Sequence, residues 1–381
     1  MKTKSKKIVV AGIICLDITP IIKNISVKKV DDIFQPGQII KADGITVHTG
    51  GVVANTGLGL KKLGADVLLM AKVGNDMFGR VIIDTLKEYD AADYVKVSDD
   101  VSTAYSVVIA VPGIDRIFIH DAGASDTFGI DDLNLDIIKD ASIFHFGYPP
   151  SMRNMYINRA AECIKIFKTI KEMGVSTSLD MAIVDQKSES AMADWNSIIK
   201  NLIPYVDLFT PSVEELSFMI DREGYNKLRE KAGNGDIMQV ITKEYIKGLA
   251  DTLIGWGAKV VMIKCGVHGI YLRTGSREQL GKVGHSLRDT LEKWENIEYF
   301  QPSFDPGKVV SGTGAGDASI AAFLYAVQCG FHWKRCVELA AASGASCVTA
   351  YDSLSGLKTL SELNEKIEAG WPTLNTIAVN Q

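Results

Sequence analysis

Short apolar runs with the composition of β-strands alternate along this chain with segments of helical period. The strand-like runs are 8–13, 67–71, 141–147, 175–180, 206–210 and 259–265. Helix-period segments follow them, for example Met155–Met173 and Val213–Ile220. Apolar strands separated by helices imply a parallel sheet covered on both faces, with ligands beyond the carboxyl ends of its strands. The predicted fold class is therefore α/β with a mostly parallel central sheet.

Two segments lack the helices of this alternation. Residues from about 17 to 49, and residues 102–120, have the composition of β-structure, and Pro112-Gly113 favours a hairpin turn in the second segment. A chain of 381 residues is within the range of one α/β domain. We therefore predict a single domain over residues 1–381, with these two segments inserted in it.

Composition disfavours several classes of protein. A net charge of −5 gives no basic surface for nucleic acid. No apolar stretch reaches the roughly 20 residues that cross a bilayer, and Asp17 interrupts the apolar run after the first lysines, unlike in a signal peptide. The six cysteines are scattered without a CxxC pair, which predicts buried thiols in a reducing compartment. We expect a cytoplasmic protein with neither nucleic acid nor membrane as a partner.

The most informative motif is the small-residue turn Val310–Ala318, which precedes an apolar helical run. Its glycines leave backbone N–H groups unscreened, and the start of a helix directs these donors and its positive dipole end at an anion. Asp317 would repel a phosphate unless it accepts a proton from the attacking group. The turn therefore indicates phosphoryl transfer. The alternative is an ordinary turn in which Asp317 caps the helix.

A second glycine cluster lies far upstream, at residues 50–57. Its di-glycine allows the backbone to approach a ligand closely, and Asn55 either offers its amide to a pair of sugar hydroxyls or caps a helix. A further glycine motif follows at Gly74–Gly79. The GK[ST] of a Walker A loop and the GxGxxG fingerprint of dinucleotide oxidoreductases are both missing, which disfavours those classes.

These three motifs, in their order and separation, resemble those of the ribokinase-like (PfkB) carbohydrate kinases. The family's GGxxxN, GxDxxG and D-T-x-G-A-G-D stand here as Gly50-Gly51…Asn55, Gly74–Gly79 and Ser311–Asp317. The resemblance implies a three-layer sandwich with a small β-sheet lid, formed by residues 17–49 and 102–120, and a homodimer joined through that lid. The stretch 275–305 is longer than expected for the family and receives no role from it.

The resemblance also implies roles for individual residues. Asp317 matches the catalytic base, and Gly314, Ala315 and Gly316 match the anion hole. The positions matching substrate contacts are Asp17, Gly50, Gly51, Asn55 and His120, of which His120 is equally compatible with a structural role. The positions matching nucleotide contacts are Ser212, Lys264, Gly266 and Gly269. Glu215 matches the residue that orders magnesium-bound water.

The implied reaction is ATP-dependent phosphorylation of a hydroxyl group on a free sugar or sugar-like compound. A nucleoside kinase and a catalytically idle relative that binds sugar or nucleotide are the alternatives. Val52 stands where relatives that use sugar phosphates tend to carry lysine, which favours an unphosphorylated acceptor. ATP and Mg²⁺ are the implied cofactors. Ser212 replaces the family's Asn, and Ser311 replaces an Asp that commonly helps bind a monovalent cation, so potassium activation stays open.

Overall fold

The computed structural model describes residues 7–22, 33–111, 117–233 and 235–374. Its strands are, in chain order, β1 (Ile8–Gly12), β2 (Cys15–Pro20), β3 (Ile45–Gly50), β4 (Val67–Gly74), β5 (Val95–Ser98), β6 (Tyr105–Ile109), β7 (Ile117–Asp121), β8 (Ile143–Gly147), β9 (Ser176–Asp180), β10 (Leu208–Phe209), β11 (Val260–Lys264), β12 (Gly269–Thr274) and β13 (Glu298–Pro302). Its α-helices are α1 (Gly51–Leu63), α2 (Met77–Lys87), α3 (Leu135–Ile138), α4 (Ile157–Glu172), α5 (Trp195–Leu202), α6 (Val213–Ile220), α7 (Arg222–Ala232), α8 (Lys243–Gly255), α9 (Arg277–Leu280), α10 (Arg288–Leu291), α11 (Ala315–Gln328), α12 (Trp333–Cys347) and α13 (Leu360–Glu368).

The central sheet has nine strands in the order β13-β12-β11-β10-β9-β8-β1-β4-β5. Pairing is parallel from β11 to β5 and antiparallel between β11, β12 and β13. Every residue of β1, β8 and β9 is buried, as expected of strands covered on both faces. The helices α1, α11 and α12 pack together, while α4, α5, α6 and α8 form a second group. The predicted mostly parallel α/β sheet is confirmed.

A separate sheet of four strands, β3-β2-β6-β7, is the predicted small β-structure, and we call it the lid sheet. Its register aligns a polar row across all four strands: His48, Asp17, Ser106 and His120. The neighbouring positions form an apolar row: Val47, Ile18, Val107 and Ile119. Because successive side chains of a strand point to opposite faces, the sheet has one polar-row face and one apolar-row face. The turn predicted at Pro112-Gly113 lies outside the described residues.

The stretch 275–305, which received no role from the sequence, completes the edge of the central sheet. It contains the short helices α9 and α10 and the edge strand β13. Trp294, which follows α10 in the sequence, is buried. Its ring is tilted against that of Phe323 of α11, with ring centroids 6.2 Å apart. The stretch therefore has a structural role in covering this end of the sheet.

The cysteines and the helices bear on the predictions made from composition. All six cysteines lie within the described residues and are free thiols, and five of them are buried. The prediction of burial is wrong for Cys329, which is exposed just beyond the end of α11. Across the described ranges, no helix is both long and apolar enough to span a membrane.

Candidate active site

The glycine turn before α11 has the backbone of an open helix start. Helix α11 begins at Ala315, with Gly314 as its N-cap in the left-handed region (φ 76°). A Cβ atom on Gly314 would lie 2.3 Å from the Cβ of Ser353, so no larger residue fits there. The N–H groups of Gly316 and Asp317 belong to the first turn, where the helix itself offers them no acceptor. The turn therefore has the donors that an anion needs.

Asp317 lies inside the first turn of α11 and does not cap it, because the N-cap is Gly314. Its carboxylate is 5% exposed and accepts hydrogen bonds from three side chains. The Thr56 hydroxyl donates to Oδ1 at 2.9 Å, and the Asn55 amide donates to Oδ2 at 3.2 Å. The Tyr148 hydroxyl lies 2.9 Å from Oδ1 and 2.8 Å from Oδ2. The alternative in which Asp317 is a helix cap is thereby wrong.

Burial raises the pKa of Asp317, while the hydrogen bond from Tyr148, the charge of Lys264 and the donors on α1 lower it. The net direction is upward from the ordinary aspartate value. An aspartate with a raised pKa is a stronger base than one in water, provided that it remains ionised at the working pH. The electrostatics of the site therefore suit the proton acceptor that the sequence predicts.

The glycine cluster at residues 50–57 brings α1 against Asp317 and against Asp17. Gly51 has φ 83°, and a Cβ atom there would lie 2.5 Å from the Ile13 carbonyl oxygen. A Cβ atom on Gly50 would lie 2.3 Å from Oδ2 of Asp17. Both glycines are thus required for close packing of the chain. The two glycines therefore position α1 and Asp17.

Asn55 has protein partners on both ends of its amide. It donates to Asp317, and its Oδ1 accepts a hydrogen bond of 2.8 Å from the Ser353 hydroxyl. Helix α1 begins at Gly51, with Gly50 as its N-cap, so Asn55 is not a cap. Asn55 also lines a cavity next to the lid sheet. Its position links the base, the glycine turn and that cavity.

Four further polar residues gather on the other side of the turn. Lys264 forms an ion pair with the buried Asp180 at 2.5 Å. Burial disfavours charge on Lys264, but the carboxylates of Asp180 and Glu215 hold its pKa above the usual value. Ser212 forms a β-bridge with Lys264 and caps α6 in a capping box, donating its backbone N–H to Glu215 at 2.6 Å. Lys264 Nζ would lie 3.8 Å from a Cβ atom on Gly316, so the lysine charge is beside the glycine turn.

A cleft of ≈ 310 Å³ lies on this side of the turn. It is lined by Lys264, Gly266, Val267, Gly269, Ile270, Ser303, Pro306, Val309, Gly312, Ala315, Gly316, Ser319, Ala341, Gly344, Ala345, Val348 and Leu374. Gly269 has φ 120°, and a Cβ atom there would lie 2.0 Å from the Gln301 carbonyl oxygen, so the tight β11–β12 turn requires glycine. We call it the nucleotide cleft because its lining includes Lys264, Gly266 and Gly269, the positions predicted to contact a nucleotide.

A second cleft of ≈ 410 Å³ lies between the lid sheet and the turn. It is lined by Asp17, Thr19, Thr46, His48, Thr49, Asn55, Val108, Ala110, Phe118, Val309, Val310, Ser311, Gly312, Thr313, Tyr351, Asp352 and Ser353. Val309 and Gly312 also line the nucleotide cleft, so the two clefts meet at the glycine turn. We call the second one the acceptor cleft.

The polar row of the lid sheet belongs to the face that lines the acceptor cleft. Asp17 lies on lid strand β2, five residues beyond the end of β1, and burial raises its pKa. The hydroxyl of Ser106 and the imidazoles of His120 and His48 oppose that rise. Ser106 Oγ lies 3.0 Å from Nδ1 of His120. Asp17 and His120, both predicted substrate contacts, thus lie in one row of the sheet together with His48.

Several residues of the site escaped prediction from the sequence. Thr56 adjoins the predicted Asn55, and alternation along β3 could have indicated His48 once the strand was known. The sequence places Asp180 at one of the strand ends beyond which ligands bind, but no motif gives this residue a role. Tyr148 and Ser353 carry no motif, because only the folded chain brings them to Asp317 and Asn55.

No group of three or more His, Cys, Asp or Glu side chains close enough to hold a metal ion is found in residues 7–22, 33–111, 117–233 and 235–374. Magnesium in phosphoryl-transfer enzymes commonly keeps several waters and binds through one or two carboxylates and the phosphates of its substrate. The carboxylates of Glu215 and Asp180, both beside Lys264, are compatible with that mode of binding.

The sequence is similar to curated sugar kinases over most of its length. A sugar kinase of Archaeoglobus fulgidus is 24% identical over 301 residues, which cover 79% of this chain and 98% of that protein. A 5-dehydro-2-deoxygluconokinase of Clostridium botulinum is 22% identical over 372 residues, covering 96% of this chain and 94% of that enzyme.

Solved structures share the fold. The ribokinase of Arabidopsis thaliana, solved with ribose and ATP, superposes with a TM-score of 0.68 at 22% identity and covers 95% of this chain and 98% of that chain. The nucleoside kinase of Burkholderia thailandensis in complex with inosine gives a TM-score of 0.66 at 16% identity, covering 95% and 98%. The predicted ribokinase-like fold is confirmed. The pfkB family carbohydrate kinase profile matches residues 5–360, and this chain therefore belongs to that family.

Proposed function

We propose that this ATP-dependent sugar kinase transfers the γ-phosphoryl group to a hydroxyl of an unphosphorylated sugar or sugar-like compound, with Asp317 as the base. The observation that carries the proposal is the meeting of the two clefts at Gly312, on the turn that leads to Asp317. A donor in one cleft and an acceptor in the other would approach each other at the amino end of α11. Positioning and charge stabilisation dominate such transfers.

Each part of the site has a role in this reaction. The backbone N–H groups from Gly314 to Asp317 would bind the transferring phosphoryl group, with the charge of Lys264 beside them. Asp317 would accept the proton of the acceptor hydroxyl as the new P–O bond forms. The polar row of the lid sheet would bind the remaining hydroxyl groups. Glu215 would hold magnesium through water, together with the ATP phosphates, and the ion would supply positive charge that neutralises the phosphates.

The acceptor is proposed to be unphosphorylated because the residue at position 52 is a buried valine and not a lysine. Val52 is fully buried and packs on Gly147 and Gly12, where a Cβ atom on Gly147 would lie 2.4 Å from a Val52 methyl carbon. The side chain at this position therefore belongs to the core and supplies no cation to the acceptor cleft. A phosphate desolvated without a cation binds poorly.

A nucleoside is the second candidate acceptor. Phe118 and Tyr351 both line the acceptor cleft and are 56% and 85% exposed. Aromatic side chains at the mouth of a cleft can stack on a planar base, and they also pack on the apolar face of a sugar ring. The similar fold of a nucleoside kinase in complex with inosine is consistent with this candidate.

ADP release with MgATP and a panel of acceptors tests the proposal. The panel contains ketoses, pentoses, sugar acids, nucleosides and hexose monophosphates, with the Asp317→Asn variant as the blank. We expect turnover with at least one free sugar or sugar acid. Turnover with nucleosides alone would select the second candidate, and turnover with a hexose monophosphate alone would overturn the proposal. Binding of ATP without turnover of any acceptor would indicate an idle relative.

We further propose that two chains pair through the apolar row of the lid sheet. Val47 and Ile119 of this row are exposed, and an uncovered apolar sheet face favours self-association. The Ile119→Lys variant is expected to convert a dimer to a single chain in light scattering at micromolar concentration. Val97→Lys, at an exposed strand position outside the lid, is the control and should leave the dimer intact. A wild-type protein with the mass of one chain would contradict the proposal.

A further inference from the structure

We propose that Tyr148 is the positioning residue for Asp317, and that its hydroxyl occupies the place on the carboxylate that the acceptor hydroxyl takes during the reaction. The proposal rests on Asp317 being the base of the proposed function. It adds a residue that belongs to none of the three glycine motifs. Tyr148 directly follows β8 and lies at the carboxyl ends of the parallel strands, where ligands bind in such sheets.

The contact between the two side chains is bidentate. The Tyr148 oxygen lies 2.9 Å from Oδ1 and 2.8 Å from Oδ2 of Asp317. A phenol has a single proton, so one hydroxyl straddles both oxygens and donates to one of them at a time. This is the arrangement expected of a group that occupies the positions on the carboxylate that a further hydroxyl would need.

Three side-chain donors surround the Asp317 carboxylate, and Tyr148 is the one that does not come from α1. An ionised carboxylate has about four lone-pair sites. Thr56 and Asn55 each take one of these from α1, and both side chains are held on a helix packed in the core. An acceptor hydroxyl must therefore share or replace the place of Tyr148, because the other two donors cannot withdraw without moving α1.

The backbone of Tyr148 is in a conformation that tyrosine rarely adopts. It has φ 64° and ψ 41°, between Gly147 and Pro149, and its N–H donates to the Asp180 carbonyl oxygen at 3.3 Å. Glycine would adopt this conformation without strain. Non-glycine residues with positive φ persist where the surroundings fix them, and they cluster at functional sites. The strained turn aims a phenol at the base, which glycine could not do.

The chemistry of the pair is that of a fixed donor and an ionised acceptor. Burial and the charges of Asp317 and Asp180 raise the pKa of Tyr148 well above its ordinary value, so the phenol stays protonated. Its hydrogen bond favours the ionised form of Asp317. During transfer the acceptor's proton moves to Asp317, while Tyr148 keeps its own proton and donates to the other oxygen. Tyr148 gains and loses no atom in the cycle.

Other ionisable groups around Asp317 belong to separate elements. Lys264 lies on β11, Asp180 on β9 and Glu215 on α6, and their charges are coupled to one another. Cys347 at the end of α12 has a pKa raised to about 12, first by burial and then by the charge of Asp317, so it stays neutral. Replacing Tyr148 by phenylalanine alters none of these groups and keeps the ring. The change therefore isolates the hydroxyl.

The direct test is a pH titration of Asp317, monitored by NMR of protein labelled with ¹³C at the aspartate carboxyl carbons. The signal of Asp317 is assigned by its loss in Asp317→Asn. In Tyr148→Phe we expect the pKa of Asp317 to rise relative to wild type. The matched control is Tyr245→Phe, which removes a tyrosine hydroxyl that donates to Asp221 at 3.0 Å, far along the chain from the glycine turns. An unchanged Asp317 titration in Tyr148→Phe overturns the proposal.

A second measurement follows ATP hydrolysis without any acceptor. With the phenol gone, water can take its place on Asp317, so hydrolysis of MgATP should increase in Tyr148→Phe and remain unchanged in Tyr245→Phe. Tyr148→Gly, which fits φ 64° without strain, should also increase it, and it serves if the phenylalanine variant does not fold. If the wild-type enzyme consumes ATP and the variants fold, but their hydrolysis of MgATP is unchanged, then Tyr148 does not occupy the place of the acceptor hydroxyl. The two proposals can also fail separately. If the Asp317 titration shifts in Tyr148→Phe but the protein never consumes ATP, the proposed kinase function is wrong, while the positioning of Asp317 by Tyr148 is supported.

Discussion

Asp317→Asn is expected to lower turnover by roughly 10²–10⁴-fold, the usual contribution of a positioned acid–base group. Asparagine keeps the shape of the side chain. Its oxygen can accept from Asn55, and its amide can donate to the hydroxyls of Thr56 and Tyr148 after these rotate. ATP affinity should change little, because the anion site consists of backbone N–H groups. The measurement is kcat and KM with MgATP and the acceptor found in the panel.

The same substitution is expected to leave the melting temperature at pH 7 unchanged or higher. The folded-state pKa of Asp317 is raised, so the ionised carboxylate costs stability once the pH rises above the unfolded-state pKa. Asparagine removes this cost, and its advantage should disappear as the pH falls below the ordinary aspartate range. For the same reason, wild-type turnover should decline on acidification through a pKa above the ordinary aspartate value.

The matched control for this prediction is Asp207→Asn. Asp207 is another buried carboxylate. It accepts hydrogen bonds of 3.1 Å from the backbone N–H groups of Thr177 and Gly284, and it forms an ion pair with Lys171. Asp207 directly precedes β10 and therefore lies at the amino ends of the parallel strands, opposite the candidate site. This variant should melt lower and retain turnover per folded molecule. Near-wild-type kcat in Asp317→Asn with a lowered melting temperature would exclude Asp317 as the base.

Gly314→Ala is expected to cost at least roughly 10²-fold in turnover, as misplacement by about 1 Å can do. The left-handed φ of 76° disfavours any residue with a Cβ atom by about 1–2 kcal/mol. The added atom would also lie 2.3 Å from the Cβ and 2.9 Å from the Cα of Ser353. The turn must shift, and the N–H groups of Gly316 and Asp317 shift with it.

Gly312→Ala is the control for this second prediction. It lies two residues earlier in the same turn, and no atom would come within 4 Å of its added Cβ. Its melting temperature should equal that of wild type, while Gly314→Ala should melt lower and bind ATP more weakly in calorimetry. If both alanine variants bind ATP like wild type, the anion site does not lie at this turn.

The fold could be predicted from the sequence where one local pattern decides the structure. The buried parallel strands β1, β8 and β9 have no polar face, so their apolar runs stand out between helices. The lid strands are recognisable because no segment of helical period separates β2 from β3 or β6 from β7 in the sequence. The stretch 275–305 could not be assigned, because its short helices α9 and α10 depend on burying Leu280 and Leu291 against the rest of the chain.

Local patterns alone indicate the site at its glycines, at Asn55 and at Asp317, and the family resemblance adds the other candidate residues. A positive φ or a close backbone approach requires glycine, which is visible in the sequence. An aspartate beside an anion-binding turn would repel the anion, so its presence indicates a role in the reaction. The contact of Asn55 with Asp317 joins positions 262 residues apart. Tyr148 reaches Asp317 across 169 residues from a strained turn. Such contacts depend on how helices rotate against the sheet, which local patterns do not encode.

The alternation in the lid strands separates two tasks at the level of single residues. His48, Asp17, Ser106 and His120 form the polar row, and each has a direct neighbour in the apolar row. With the roles proposed for the two rows, acceptor preference could be engineered by varying every second lid position without altering the proposed pairing of chains. Insertion of one residue into a lid strand would exchange the two sets at once. Substitutions at these positions should consequently be tolerated far better than insertions or deletions.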